Sequence, residues 1–147
     1  MTPVSVKRGD GAVILAMPHG GTHVPQEIHA QLNDRGRALA DTDWHISRLY
    51  EGLLDEATVV AANFHRYVID ANRDPSGASL YPGQNTTGLC PLTDFDGKKI
   101  YDRGCEPSAE DIAMRVGDWH APYHTALLGE IERVKKKHGA VIIYDCH

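Results

Sequence analysis

The chain has 147 residues, 41% hydrophobic and 24% charged, with a formal net charge of −5. That length supports one domain with its own core, and the negative balance argues against general nucleic-acid binding. No apolar run approaches the ~20 residues that span a bilayer, and the start, MTPVSVKRGDG, lacks the apolar centre of a signal peptide.

Taken in chain order, Ala12 to Met17 is a short apolar run between Gly11 and Pro18, as expected of a strand buried on both faces. Leu39, Ile46, Leu49, Tyr50, Leu53 and Leu54 recur at helical spacing, with Asp41 or Thr42 as N-cap. Thr58 to Ala62 reads as a second strand and Arg66 to Asp70 as a third. From Arg73 to Gly104 the chain is rich in Gly, Pro, Asp, Asn and Thr, the composition of a long loop. From Ala109 to about His138, apolar residues from Ile112 to Val134 step by three or four. This predicts one amphipathic helix or two in series, with Pro122 as a kink or restart. Lys135, Lys136 and Lys137 suit its C-terminal dipole, and Gly139 its stop. Ala140 to Asp145 is the fourth strand. The alternation predicts a single α/β domain over 1–147, with a three-layer, largely parallel or mixed sheet flanked by helices.

Cys90, Cys105 and Cys146 form no CxxC pair, so a reducing cytoplasm fits better than a disulfide framework. Nine histidines raise the question of metal or acid–base chemistry. In α/β sheets ligands collect beyond the carboxyl ends of strands. His19 follows the first strand and His147 the last, where a sheet holds an imidazole rigidly enough to ligate a metal. The alternative is that His19 opens a tight turn and His147 is a frayed end. Asp41 and Asp43 bracket one residue at a helix start. Either caps the helix, or one joins the histidines as the carboxylate of a catalytic zinc set. Asn72 and Arg73 suit carboxylate recognition, because guanidinium offers a bidentate fork. The alternative is an ordinary pair between Arg73 and Asp70 or Asp74. His120 and His124, at i, i+4, share a helix face beside Asp118 without forming HExxH, which favours a structural or substrate-edge role. His29, His65 and His138 read as surface or loop histidines. No GxGxxG, GxxxxGK[ST] or GxSxG is present.

The stretches MPHGGTHVP, DTDWHISRLY, RYVIDANRDPSGASLYPGQNTTGLCPLTDFDG, WHAPYHTAL and IIYDCH, in this order through nearly the whole chain, resemble the N-formylglutamate amidohydrolase family. The resemblance implies a fold like that of the zinc carboxypeptidases. It implies zinc-dependent hydrolysis of N-formyl-L-glutamate to glutamate and formate in histidine degradation. It implies His19 and His147 as zinc ligands with Asp41 or Asp43 as the third, and Asn72 and Arg73 holding a substrate carboxylate. Arg66 is implied to polarise the scissile carbonyl. It further implies that the chain corresponds to the N-terminal part of such an enzyme. The general-base glutamate then lies outside it, and the incomplete sheet invites self-association. The expected partner is a small molecule bearing carboxylates, with no nucleic acid and no membrane. The alternatives are a non-catalytic metal- or carboxylate-binding remnant, or a related deacylase of small acidic N-acyl amino acids.

Overall fold

The computed structural model describes residues 1–78 and 88–147. Four strands form one open mixed sheet in the order β1-β3-β2-β4. They are β1 (Val4–Lys7), β2 (Val13–Met17), β3 (Thr58–Ala62) and β4 (Ile142–Asp145). β2 lies between β3 and β4 and runs parallel to both, with Leu15 opposite Val59 and Tyr144. β1 closes the far edge antiparallel to β3.

Strand side chains alternate between faces, and two apolar clusters separate accordingly. Ile14, Val60 and Ala62 join one cluster with Tyr123 and Val134. Leu15 and Met17 join the other with Ile46, Ala57 and Cys146. The first face is covered by a long helical segment. Helix α4 (Ala109–Arg115) starts with a reciprocal capping box between Ser108 and Asp111. A π-helical turn at Val116–His120 follows, in which the Ala121 N–H reaches back to the Val116 carbonyl. Helix α5 (Ala121–His138) carries Pro122 in its first turn, where the missing N–H costs least. It stops at Gly139, whose positive φ of 77° suits glycine. The expected helical segment from Ala109 to His138 is present, as two α-helices joined without a break by the π-helical turn that ends just before Ala121-Pro122. No helix of the described residues is long and apolar enough to cross a membrane.

The other face is covered more thinly, and here the helix expected over 39–54 fails. Three short helices precede β3, α1 (Gln26–Gln31), α2 (Asp34–Arg37) and α3 (Ile46–Leu49); of these, α3 packs on this face through Ile46, while Ile28 of α1 joins the first cluster. Only Ile46 of the expected apolar stripe is fully buried, while Leu49, Leu53 and Leu54 are exposed. Neither Asp41 nor Thr42 caps α3; the cap position is His45, at a φ of 65°. Helical spacing without burial provides little free energy to hold a helix together.

The third expected strand, 66–70, is also corrected. Tyr67, Val68 and Ile69 are fully buried, which explains their apolar character. Their backbone turns instead of pairing: the Val68 N–H bonds His65 O and the Arg73 N–H bonds Asp70 O. β4 is parallel as expected but not buried, since Ile142, Ile143 and Tyr144 are 61%, 48% and 52% exposed. The described part of the 73–104 segment is irregular, as expected. The SLYPGQNTT portion of its motif lies outside the described residues.

Candidate metal centre

β2 delivers Pro18-His19-Gly20-Gly21 past its carboxyl end. Gly21 lies so close to the end of β3 that a Cβ would sit 2.5 Å from both the Asn63 carbonyl carbon and the Phe64 oxygen. Only glycine permits that approach, and it fixes the path of the loop carrying His19. The His19 carbonyl accepts the Asp43 N–H at 3.1 Å, which brings the Asp43 side chain to the same corner. β4, parallel to β2, delivers Asp145, Cys146 and His147 beside them.

Three donor atoms converge. His19 Nδ1 and His147 Nδ1 are 3.3 Å apart. Asp43 Oδ2 lies 3.0 Å from His147 Nδ1 and 3.8 Å from His19 Nδ1. Among the described residues this trio is the set of histidine, cysteine or acidic side chains able to hold one ion. A tetrahedral zinc with bonds of ~2.0–2.2 Å has ligand edges of roughly 3.3–3.6 Å. The spacing fits such an ion, and two histidines with one carboxylate leave a fourth position open.

The far side of each imidazole is also held. His19, 3% exposed, donates Nε2–H to Asp70 Oδ1 at 2.6 Å. His147 donates Nε2–H to Asp145 Oδ2 at 3.1 Å. An ion held by the trio would take the Nδ1 lone pairs and leave the protons on Nε2, against Asp70 and Asp145; without one, His147 Nδ1 donates to Asp43 Oδ2 instead. Asp70 is fully buried. Burial pushes its carboxyl up, but His19, Arg66 and the Asn72 N–H outweigh this and hold it well below the usual carboxylate range. Burial opposes charge on His147 too, yet its bonds to Asp145 and Asp43 prevail and raise its pKa.

The remaining sequence candidates fall in different places. Asp41 stands apart from the trio: its carboxylate accepts the Phe95 N–H at 3.1 Å, so Asp43 takes the carboxylate position. Arg66, 6% exposed, points inward and donates to Asp70 Oδ2 at 2.9 Å, with its guanidinium over the Phe95 ring. A group that polarises a substrate carbonyl must face the cavity, and this side chain faces the His19–Asp70 pair. Asn72 donates its side-chain amide to Asp145 Oδ2 at 3.0 Å and its backbone N–H to Asp70 Oδ1 at 2.9 Å. Arg73 lies beside it, with one guanidinium nitrogen 3.2 Å from Asn72 O.

His120 and His124 fasten this segment from below. Their Nε2 atoms lie 2.9 and 2.8 Å from the carbonyls of Arg73 and Ala71. A cleft of about 620 Å³ opens here, lined by Asn72, Arg73, His120, His124 and Leu128. His65, expected as a surface or loop histidine, lies in a loop but is fully buried, with Nδ1 accepting the Tyr67 N–H at 3.1 Å. The buried Asp70 carboxylate is the partner that spacing alone did not single out. Its signal is an aspartate closing an apolar run four residues after an arginine.

A profile of the N-formylglutamate amidohydrolase family matches residues 11–147. The chain is 40% identical over 146 residues to the N-formylglutamate deformylase of Pseudomonas aeruginosa, covering 98% of this chain and 54% of that protein. It is 37% identical over 145 residues to the N-formylglutamate deformylase of Pseudomonas putida, with the same coverage. The crystal structure of N-formylglutamate amidohydrolase from Ralstonia eutropha superposes with a TM-score of 0.77 at 27% identity, covering 99% of this chain and 56% of that one. A gene product of Agrobacterium tumefaciens shares the fold, with a TM-score of 0.69 at 22% identity, over 100% of this chain and 56% of that one. The chain thus spans about half the length of the curated relatives it matches. With the match running from the glycine before β2 through the last residue of the trio, the chain belongs to the N-formylglutamate amidohydrolase family.

Proposed function

We propose that this chain carries the metal-holding and carboxylate-binding part of a site that hydrolyses the N-formyl amide of N-formyl-L-glutamate, giving L-glutamate and formate. The convergence of His19 Nδ1, Asp43 Oδ2 and His147 Nδ1 carries the reading, and the names of the relatives support the substrate. When bound by these three, a zinc ion supplies Lewis acidity toward the formyl oxygen and acidifies water to near pKa ~7.

The chain's own residues do the positioning. Asp70, held by Arg66, fixes the His19 ring. Arg73, with Asn72 beside it, receives a substrate carboxylate and sets the amide against the trio, so that reaction becomes a matter of orientation rather than encounter. Arg66 acts through Asp70 and His19 in this reading, not on the substrate carbonyl. The glutamate base expected from the likeness to zinc carboxypeptidases is assigned to the half of the relatives' length that this chain does not span. Glu130, the buried glutamate, is instead paired with Arg8 and Arg133. The full sheet is proposed to follow the carboxypeptidase-like arrangement, and the reaction to serve histidine degradation in the cytoplasm.

The test is to load the chain with zinc and measure binding of N-formyl-L-glutamate by calorimetry, alongside formate release. Metal-dependent binding is expected, with turnover at least ~10²-fold below a full-length relative for want of the base. Absence of metal-dependent binding overturns the reading. Preference for a longer acyl group replaces it with a related deacylase. Binding with no turnover after a full-length relative's remaining half is supplied favours the non-catalytic remnant.

A further inference from the structure

We infer that Asp145 is a positioning residue, whose single oxygen Oδ2 ties the metal ligand His147 to the carboxylate-binding Asn72; this rests on the metal-site reading above. Asp145 Oδ2 accepts Nε2–H of His147 at 3.1 Å and Nδ2–H of Asn72 at 3.0 Å. Asn72 in turn gives its backbone N–H to Asp70 Oδ1, the same oxygen that accepts from His19 Nε2 at 2.6 Å. One asparagine therefore touches both carboxylates that orient the two imidazoles. The chain His19–Asp70–Asn72–Asp145–His147 runs along the Nε2 side of both imidazoles.

The physical consequences are specific. An imidazole presents the lone pair of one nitrogen only when the other bears the proton, and a carboxylate at Nε2 selects that tautomer and raises the basicity of Nδ1. The two outer carboxylates differ in setting. Asp70 is buried and shared with Arg66, whereas Asp145 is half exposed and accepts from the ligand His147 and from Asn72. Asp145 is therefore the member through which the Asn72 side chain reaches His147. Moving Asn72 moves Asp145, and Asp145 sets the ring of His147.

The full chain is tested as wild type, Asp145→Ala and Asp145→Asn, with His19→Ala as a control for the metal site itself. Zinc affinity is measured by chelator competition, the cobalt-substituted visible spectrum is recorded, and the Asn72 side-chain amide is followed by NMR in the metal-free chain. Asp145→Ala is expected to lose ~10–100-fold in zinc affinity, to alter the cobalt spectrum, and to shift the Asn72 amide signal. Asp145→Asn, which keeps an acceptor oxygen without the charge, is expected to fall between. Wild-type affinity and an unchanged cobalt spectrum in both variants overturn the inference while leaving the metal site standing, provided His19→Ala loses zinc. A wild-type chain that takes up no zinc overturns the metal-site reading and the inference with it. An unmoved Asn72 signal in Asp145→Ala overturns the link to Asn72.

Discussion

The Nδ1 atoms of His19 and His147 face each other at 3.3 Å from the ends of neighbouring parallel strands. Two imidazole lone pairs repel at that distance unless a proton or a cation lies between them. The fold nonetheless holds them there, through a buried aspartate behind one ring and a half-exposed one behind the other.

The first prediction concerns the trio. His19→Ala, Asp43→Ala and His147→Ala should each abolish stoichiometric zinc, read by elemental analysis after gel filtration. Asp41→Ala should retain it, because the Asp41 carboxylate is committed to the Phe95 N–H. Zinc lost from the Asp41 variant and kept by the Asp43 variant would reverse the assignment.

The anchor can be tested by substrate comparison. Arg73→Lys keeps the charge and loses the bidentate fork, so N-formyl-L-glutamate should bind about tenfold more weakly to the zinc-loaded chain. N-butylformamide, which has neither carboxylate, should be unaffected. Equal losses for both compounds would refute the anchoring role.

His65 makes a statement about acid stability. Burial, with Arg66 and His19 adding to it against Asp70, pulls its pKa down to about 3. The folded chain therefore keeps this ring neutral at pH values where the unfolded chain, with an ordinary value near ~6.5, takes up a proton. The unfolded state binds the extra proton, so stability is full above pH ~6.5 and falls as pH drops from there toward 3. The slope from this one group is at most about 1.4 kcal/mol per pH unit. Urea midpoints between pH 7 and 4 should fall less steeply in His65→Asn. Parallel curves would show that another group governs that window.

Two adjacent glycines should differ sharply. In Gly21→Ala the new methyl meets the backbone of Ala62, Asn63 and Phe64, which cannot yield without moving β3. A loss of about 1–3 kcal/mol is expected from urea unfolding. In Gly20→Ala the near neighbour is the Ile46 Cγ2 methyl at 2.8 Å, a side-chain atom rather than backbone, so a smaller loss than in Gly21→Ala is expected. A Gly20 variant as damaged as the Gly21 variant would show that the loop tolerates no added volume.

The exposed face of β4 should drive association. Ile142, Ile143 and Tyr144 form an apolar edge, and such edges pair with other chains. Sedimentation should show concentration-dependent oligomers that Ile142→Lys reduces. A wild-type monomer at high concentration would contradict this.

The sequence made the parallel strands legible because continuous apolar runs such as Val13–Met17 and Thr58–Ala62 have few other uses. It misled at 66–70, where Tyr67, Val68 and Ile69 are apolar because they fill the core, while tertiary contacts bend their backbone into turns. It misled at 39–54, where leucine spacing mimicked a helix whose stripe faces solvent. β1 is not legible in the sequence, because a four-residue edge strand that buries little leaves no apolar pattern. His19 and His147 could be read from their places after strands. The choice between Asp41 and Asp43 could not, since it depends on a single backbone bond from the Asp43 N–H to His19 O.

The two histidines that meet at the trio are separated by 128 positions in the chain. A cation gripping both would act as a reversible clasp, closing a loop that takes in nearly the whole polypeptide and fastening β4 to the sheet. Occupancy would then contribute to folding by mass action, about 2.7 kcal/mol at a hundredfold excess over Kd. Chelation would act first as a mechanical release, loosening the last strand before it disturbs the buried Asp70 side of the site.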